Sequence, residues 1–151
     1  MKRFEASTSW SADRPETLVV CCSDGRWHAH VEEFVRAEVS ERADLYAVPG
    51  GPAAFDPWSS SFEQARVLEE AFRLLAKHHD LRAVWLIAHE SCAYYRAKHG
   101  HLEGESMRLR QCEDLERAAR VLREWHPHLT VRNIYAALED GRVVFTELGD
   151  R

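Results

Sequence analysis

Six consecutive apolar residues, Ala83-Val84-Trp85-Leu86-Ile87-Ala88, set the strongest constraint on the fold. The run does not alternate, so both faces of the segment must be buried. It is too short for a core helix, and it reads as a central strand of a sheet covered on both sides. Leu18-Val19-Val20-Cys21-Cys22, after Pro15, repeats that pattern. Leu45 to Val48 is a further short strand, stopped by Pro49-Gly50-Gly51-Pro52, and Val131 to Leu138 is another. Between the strands the apolar residues take helical spacing: Val31, Phe34, Val35 and Val39; then Phe62, Ala65, Leu68, Phe72 and Leu75; then Leu109, Cys112, Leu115, Ala119, Leu122 and Trp125. Ser60 followed by Glu63 predicts a capping box for the second helix. Asp140-Gly141 is a hairpin signal, and Arg142 to Phe145 should return antiparallel.

Strands that alternate with helices predict an α/β fold with right-handed crossovers. The expected fold is a mostly parallel central sheet of about five strands, flanked by helices, with the last strand antiparallel. Residues 1–16 read as a polar N-terminal arm, ordered by Trp10, and residues 17–151 as one α/β domain. Gly50 to Ser61 is the longest irregular stretch; its Pro52, Phe55, Pro57 and Trp58 suggest a cover over a pocket. At 151 residues the chain can bury a core without disulfide staples. Its formal net charge of −5 argues against a nucleic-acid partner. No apolar run approaches the roughly 18 residues of a membrane span, and Met1 to Glu16 lacks the apolar core of a signal peptide. The expected setting is the cytoplasm, with no membrane partner. There, four cysteines are core residues, metal ligands or reactive thiols rather than a disulfide framework.

Two polar clusters follow two of the apolar strands. One is Cys22-Ser23-Asp24-Gly25-Arg26; the other is His89-Glu90-Ser91-Cys92. In parallel sheets, ligands collect beyond the carboxyl ends of the strands, where the strand order reverses. If the two strands are neighbours, Cys22, His89 and Cys92 meet. Two thiolates and one imidazole are a good zinc set, and three protein ligands leave a fourth position open. Asp24 lies close enough in sequence to reach the metal or its water, and Arg26 can hold that carboxylate in a bidentate pair.

These residues resemble the β-class carbonic anhydrases, which carry Cys-x-Asp-x-Arg after the first strand and His-x-x-Cys after a later one. The resemblance runs from about Leu18 to about Phe145. It implies one zinc ion per chain on Cys22, His89 and Cys92, with Asp24 open as a fourth ligand. It also implies an Asp24–Arg26 catalytic dyad, and a homodimer or higher homo-oligomer with its cleft near the subunit interface. The implied activity is reversible hydration of carbon dioxide to bicarbonate by a zinc-bound hydroxide. The chain departs from the family pattern in having Ala93 rather than Gly after the second cysteine, followed by Tyr94-Tyr95, and Gly25 where Ser is common. Those departures keep a second reading open: the same zinc fold acting on another small substrate such as carbonyl sulfide, or without catalysis. A third reading makes Cys21 or Cys22 a nucleophile near the Arg26 cation; it leaves His89 and Cys92 unexplained.

Plainer roles stand beside these. Adjacent strand residues face opposite ways, so Cys21 and Cys22 should not both ligate, and Cys21 is expected in the core. Cys112 shares an apolar helical stripe. Asp24 and Arg26 would also make an ordinary salt bridge. The pairs His28/His30, His99/His101 and His126/His128 are expected in solvent near helix ends or loops. Pro49-Gly50-Gly51-Pro52 lacks the glycine spacing of a nucleotide loop.

Overall fold

The computed structural model describes residues 2–39, 42–57 and 60–149. Its elements run β1 (Thr17–Cys22), α1 (Gly25–Glu38), β2 (Ala43–Val48), a 3₁₀ turn (Gly51–Phe55), α2 (Phe62–His79), β3 (Ala83–His89), α3 (Ala93–Lys98), α4 (Gly104–Trp125), β4 (Thr130–Glu139) and β5 (Arg142–Leu148). The five strands form one sheet in the order β2-β1-β3-β4-β5. All pairs are parallel except β4 with β5. This is the expected α/β fold with its antiparallel last strand. Among the described residues no helix is long and apolar enough to cross a membrane.

The unbroken apolar runs are explained by cover on both faces. On one face Leu18, Val20, Val84, Leu86 and Val131 pack with Leu68 and Phe72 of α2 and Leu115, Ala119 and Leu122 of α4. On the other, Val19, Cys21, Trp85 and Ile87 pack with Trp27 and Val31 of α1. Phe34 stacks on Phe145 of β5, with centroids 4.4 Å apart, so α1 also covers the hairpin. The turn that makes this hairpin places Asp140 and Gly141 at positive φ, 48° and 77°, as a tight two-residue turn requires.

Several local expectations need correction. Ser61, not Ser60, caps α2 by accepting from Gln64 N; the Ser60 hydroxyl is taken by the Ala54 and Asp56 carbonyls. Phe62 is 66% exposed, because it lies roughly a quarter-turn from the Ala65-Leu68-Phe72 face. Leu109 is likewise largely exposed. It lies about 200° round α4 from Gln111, which is on the buried side. Gly51–Phe55 is not a surface cover: all five residues are buried, and the segment plugs the sheet beneath α2 and α4. Trp58, assigned to the same stretch, lies outside the described residues. Trp10 does not order the arm; it is 85% exposed.

Candidate metal centre

The strand order reverses between β1 and β3: the chain leaves β1 toward β2 on one side and later fills β3 on the other. This switch point brings the two polar clusters together. Cys22 ends β1 and His89 ends β3, and Ser91, at φ 57°, turns the chain so that Cys92 becomes the N-cap of α3. The ligand atoms of Cys22, His89 and Cys92 lie within 4.8 Å of one another, all three residues are buried, and the group could hold a metal ion.

The environment of each donor is specific. His89 Nδ1 faces the Glu90 carbonyl at 2.8 Å. A carbonyl only accepts, so Nδ1 carries the proton and Nε2 keeps its lone pair. That Nε2 is buried and has no hydrogen-bond partner. Cys22 Sγ and Cys92 Sγ stand 3.8 Å apart as free thiols. Cys22 is held well below the usual thiol range, chiefly by a hydrogen bond from Cys92, against the opposing effect of burial. The backbone N–H groups of Asp24 and Gly50 add to the lowering. Cys92 moves up correspondingly, because its proton is held on the Cys22 sulfur and the site is buried. Cys21 points the other way, into the α1-facing core, and burial pushes its thiol up to about 12.

Asp24 and Arg26 form an ion pair at the mouth of the cluster. Arg26 Nε donates to both carboxylate oxygens, at 2.9 and 3.1 Å, and Nη2 adds a third bond. The guanidinium holds the Asp24 carboxyl far below its usual range. Asp24 is also the N-cap of α1, accepting from Arg26 N at 3.1 Å. Its side chain is thus turned toward Arg26, and it is not part of the Cys22-His89-Cys92 group.

The sequence pointed to Tyr94-Tyr95 beside the cluster but missed other residues that build the walls. Gly50 and Gly51 have φ of 77° and 55°. A Cβ on Gly51 would lie 2.8 Å from the Cys21 carbonyl carbon, and one on Gly50 would lie 2.4 Å from the Tyr94 ring. Tyr94 therefore lies flush against the loop after β2, which packs on the end of β1, with the Lys98 ammonium 4.7 Å from its ring centre. Tyr95 is buried instead and donates to Asp114 at 3.0 Å. Asp114 is fully buried between Arg110 and Arg117, at 3.2 and 3.3 Å. Trp27 packs its ring 4.7 Å from that of His89. Gln111, also buried, donates to the His89 carbonyl. A signal for it existed: Gln111 sits four residues before Leu115, a polar residue on an apolar stripe. His28, expected in solvent, places Nε2 3.2 Å from the Cys22 carbonyl.

Residues 13–144 match the model of a protein family described as "Putative carbonic anhydrase". The chain belongs to this family. No curated protein matches it. Solved structures share the fold at low identity. A tetrameric β-carbonic anhydrase of Sordaria macrospora superposes with a TM-score of 0.60 at 17% identity, over 92% of this chain and 83% of the other. The β-carbonic anhydrase CafA of Aspergillus fumigatus gives 0.59 at 15%, over 90% and 76%. Isoform I from Trichomonas vaginalis gives 0.58 at 12%, over 93% and 87%. Family membership makes the cluster at the switch point the first place to look for chemistry.

Proposed function

We propose that the protein binds one zinc ion through Cys22 Sγ, His89 Nε2 and Cys92 Sγ and catalyses the reversible hydration of carbon dioxide to bicarbonate. The observation that carries this reading is the donor set: a buried Nε2 with its lone pair free, facing two thiols. The fit is close in length as well. A tetrahedral zinc with Zn–S bonds of about 2.3 Å sets its sulfurs about 3.8 Å apart, and these two are 3.8 Å apart. Bound zinc would supply the Lewis acid that makes water a nucleophile near neutral pH.

The chain's own residues do the rest. The Asp24 carboxylate accepts a hydrogen bond from the attacking water and so aims its lone pair at carbon dioxide. Arg26 keeps that carboxylate ionised and fixed. The N–H groups of Asp24 and Gly50 spread the negative charge of the Cys22 sulfur, which strengthens it as a ligand without a counter-ion. The protein is also proposed to be a homodimer or larger homo-oligomer, since the Sordaria relative is tetrameric.

A second reading has one observation in its favour. Tyr94 packs against Gly50 beside the cluster, which narrows the space that a substrate needs. It keeps the zinc site but assigns it another small substrate, such as carbonyl sulfide, or no catalysis.

Stopped-flow hydration of carbon dioxide at pH 7 and 8.5, on protein of known zinc content with a chelated blank, tests the proposal. Zinc-dependent hydration is expected, faster at the higher pH. Zinc bound with no hydration at either pH would transfer the case to the second reading. Protein that takes up no zinc would sink both.

A further inference from the structure

We propose that Gln111 is a positioning residue for the metal centre and that Tyr135 anchors the far end of the amide through which it acts. The inference rests on the metal reading above but concerns residues that reading does not use. Two of the three proposed donors, His89 and Cys92, sit on a single short turn. Side chains on such a turn are held only as well as its main chain is held.

Among the described residues, three hydrogen bonds tie the main chain and Glu90 side chain of this turn to β4 and α4. Glu90 N donates to the Ala136 carbonyl at 2.8 Å. The Glu90 carboxylate accepts from Leu138 N at 2.9 Å. Both ties lead to β4. The third comes from a helix: Gln111 Nε2 donates to the His89 carbonyl at 2.8 Å. This is the only one of the three that grips a donor residue itself.

Gln111 is 1% exposed and lies on the apolar stripe of α4. A leucine there would serve packing alone, and a buried amide costs free energy unless both of its ends are bonded. Both are. Gln111 Oε1 accepts from the Tyr135 hydroxyl at 3.1 Å. The His89 carbonyl only accepts, so it must meet the NH₂ end of the amide, and Oε1 is left to accept from the Tyr135 hydroxyl. Tyr135 is itself buried and comes from β4. One side chain thus joins β4, α4 and the last residue of β3.

The link reaches the imidazole. The turn geometry that offers the His89 carbonyl to Gln111 also places the Glu90 carbonyl on His89 Nδ1. Loss of the first bond frees the main chain between them. The second bond then loosens, the proton redistributes between the ring nitrogens, and Nε2 no longer faces the sulfurs as a fixed lone pair. Outer partners of this kind typically change metal affinity by about 10- to 100-fold.

The variants are Gln111→Leu, and Tyr135→Phe as the milder change that keeps the ring in place. Two readouts are taken. In metal-free protein, ¹⁵N chemical shifts of His89 should show the Nδ1–H tautomer in wild type and a mixture in Gln111→Leu. In loaded protein, chelator competition should show zinc held about 10- to 100-fold more weakly by Gln111→Leu. Tyr135→Phe should show a smaller loss in the same direction, with shifted visible bands after cobalt substitution. A wild-type tautomer with zinc affinity within about twofold in the variants would overturn the inference. If Gln111→Leu does not fold, Tyr135→Phe decides. If wild type binds no zinc, the metal reading fails by itself, and the metal-free tautomer comparison still decides the role of Gln111.

Discussion

At the residue scale, Asp24 has two duties that a substitution can separate. It caps α1 with one oxygen and faces Arg26 with its charge. Asn is as good an N-cap as Asp, so Asp24→Asn should keep the helix and the fold while removing the charge. Zinc content should stay near one per chain and hydration should fall by about 100-fold, the lower end of the range for an oriented proton acceptor. Loss of zinc together with activity would assign Asp24 to the ligand set instead. The buried tyrosines allow a prediction about pH. Burial pushes Tyr135 up to about 12 and Tyr95 higher still, the latter with help from the Asp114 charge. A raised pKa in the folded state means that their contribution to stability is whole below pH 10. It is lost as pH rises, because the unfolded chain ionises first. Absorbance titration near 295 nm should therefore show these two phenols ionising together with alkaline unfolding. Smooth ionisation of both near pH 10 in folded protein would contradict the burial described here.

At the element scale, the loop after β2 is the least forgiving part of the site. Gly51 combines φ 55° with a Cβ position 2.8 and 2.9 Å from the backbone of Cys21 and Cys22. Left-handed backbone costs an ordinary residue about 1–2 kcal/mol, and a clash with backbone cannot be relieved by a side-chain rotation. Gly51→Ala should lose more than about 2 kcal/mol and lower Tm by roughly 5 °C or more. Gly25 is the control. It opens α1, has ordinary φ, and a Cβ there meets nothing within 4 Å. Gly25→Ala should be neutral or stabilise by up to about 1 kcal/mol. Equal Tm for the two variants would show that the close approach of this loop to β1 is not real. None of this was legible from Pro49-Gly50-Gly51-Pro52, which announces a turn but not what the turn touches. The strands and helices were legible, because burial on both faces leaves unbroken apolar runs and burial on one face leaves a stripe. The cap of α2 was not: Ser60 and Ser61 are chemically equal, and only the carbonyls of Ala54 and Asp56 around Ser60 separate them.

At the scale of the whole molecule, the candidate site exists because of topology. Cys22 and Cys92 are 70 residues apart in sequence, and only the reversal of strand order between β1 and β3 brings them to 3.8 Å. The sequence revealed this because each cluster directly follows an apolar run, so adjacency of the strands was the one assumption required. It could not reveal Gln111 and Tyr135 as a pair, since their contact joins α4 to β4 and depends on how helix and sheet dock. A metal at the switch point would clip β1, β3 and the start of α3 to one another, so its loss should be felt by the fold as well as by the chemistry. Thiol titration measures the first effect. In loaded protein, Cys22 and Cys92 should be protected by the metal and Cys21 by burial, which leaves half-buried Cys112 as the accessible thiol. A chelator should release Cys22 and Cys92 in one phase, because neither thiolate keeps its ligand role alone. Tm should fall with them. Zinc at about a thousandfold excess over its Kd stabilises by about 4 kcal/mol, or roughly 10 °C in a chain of this length. One fast thiol indifferent to chelator, with no change in Tm, would instead make the cluster a reactive cysteine beside a cation and would remove the metal from the account.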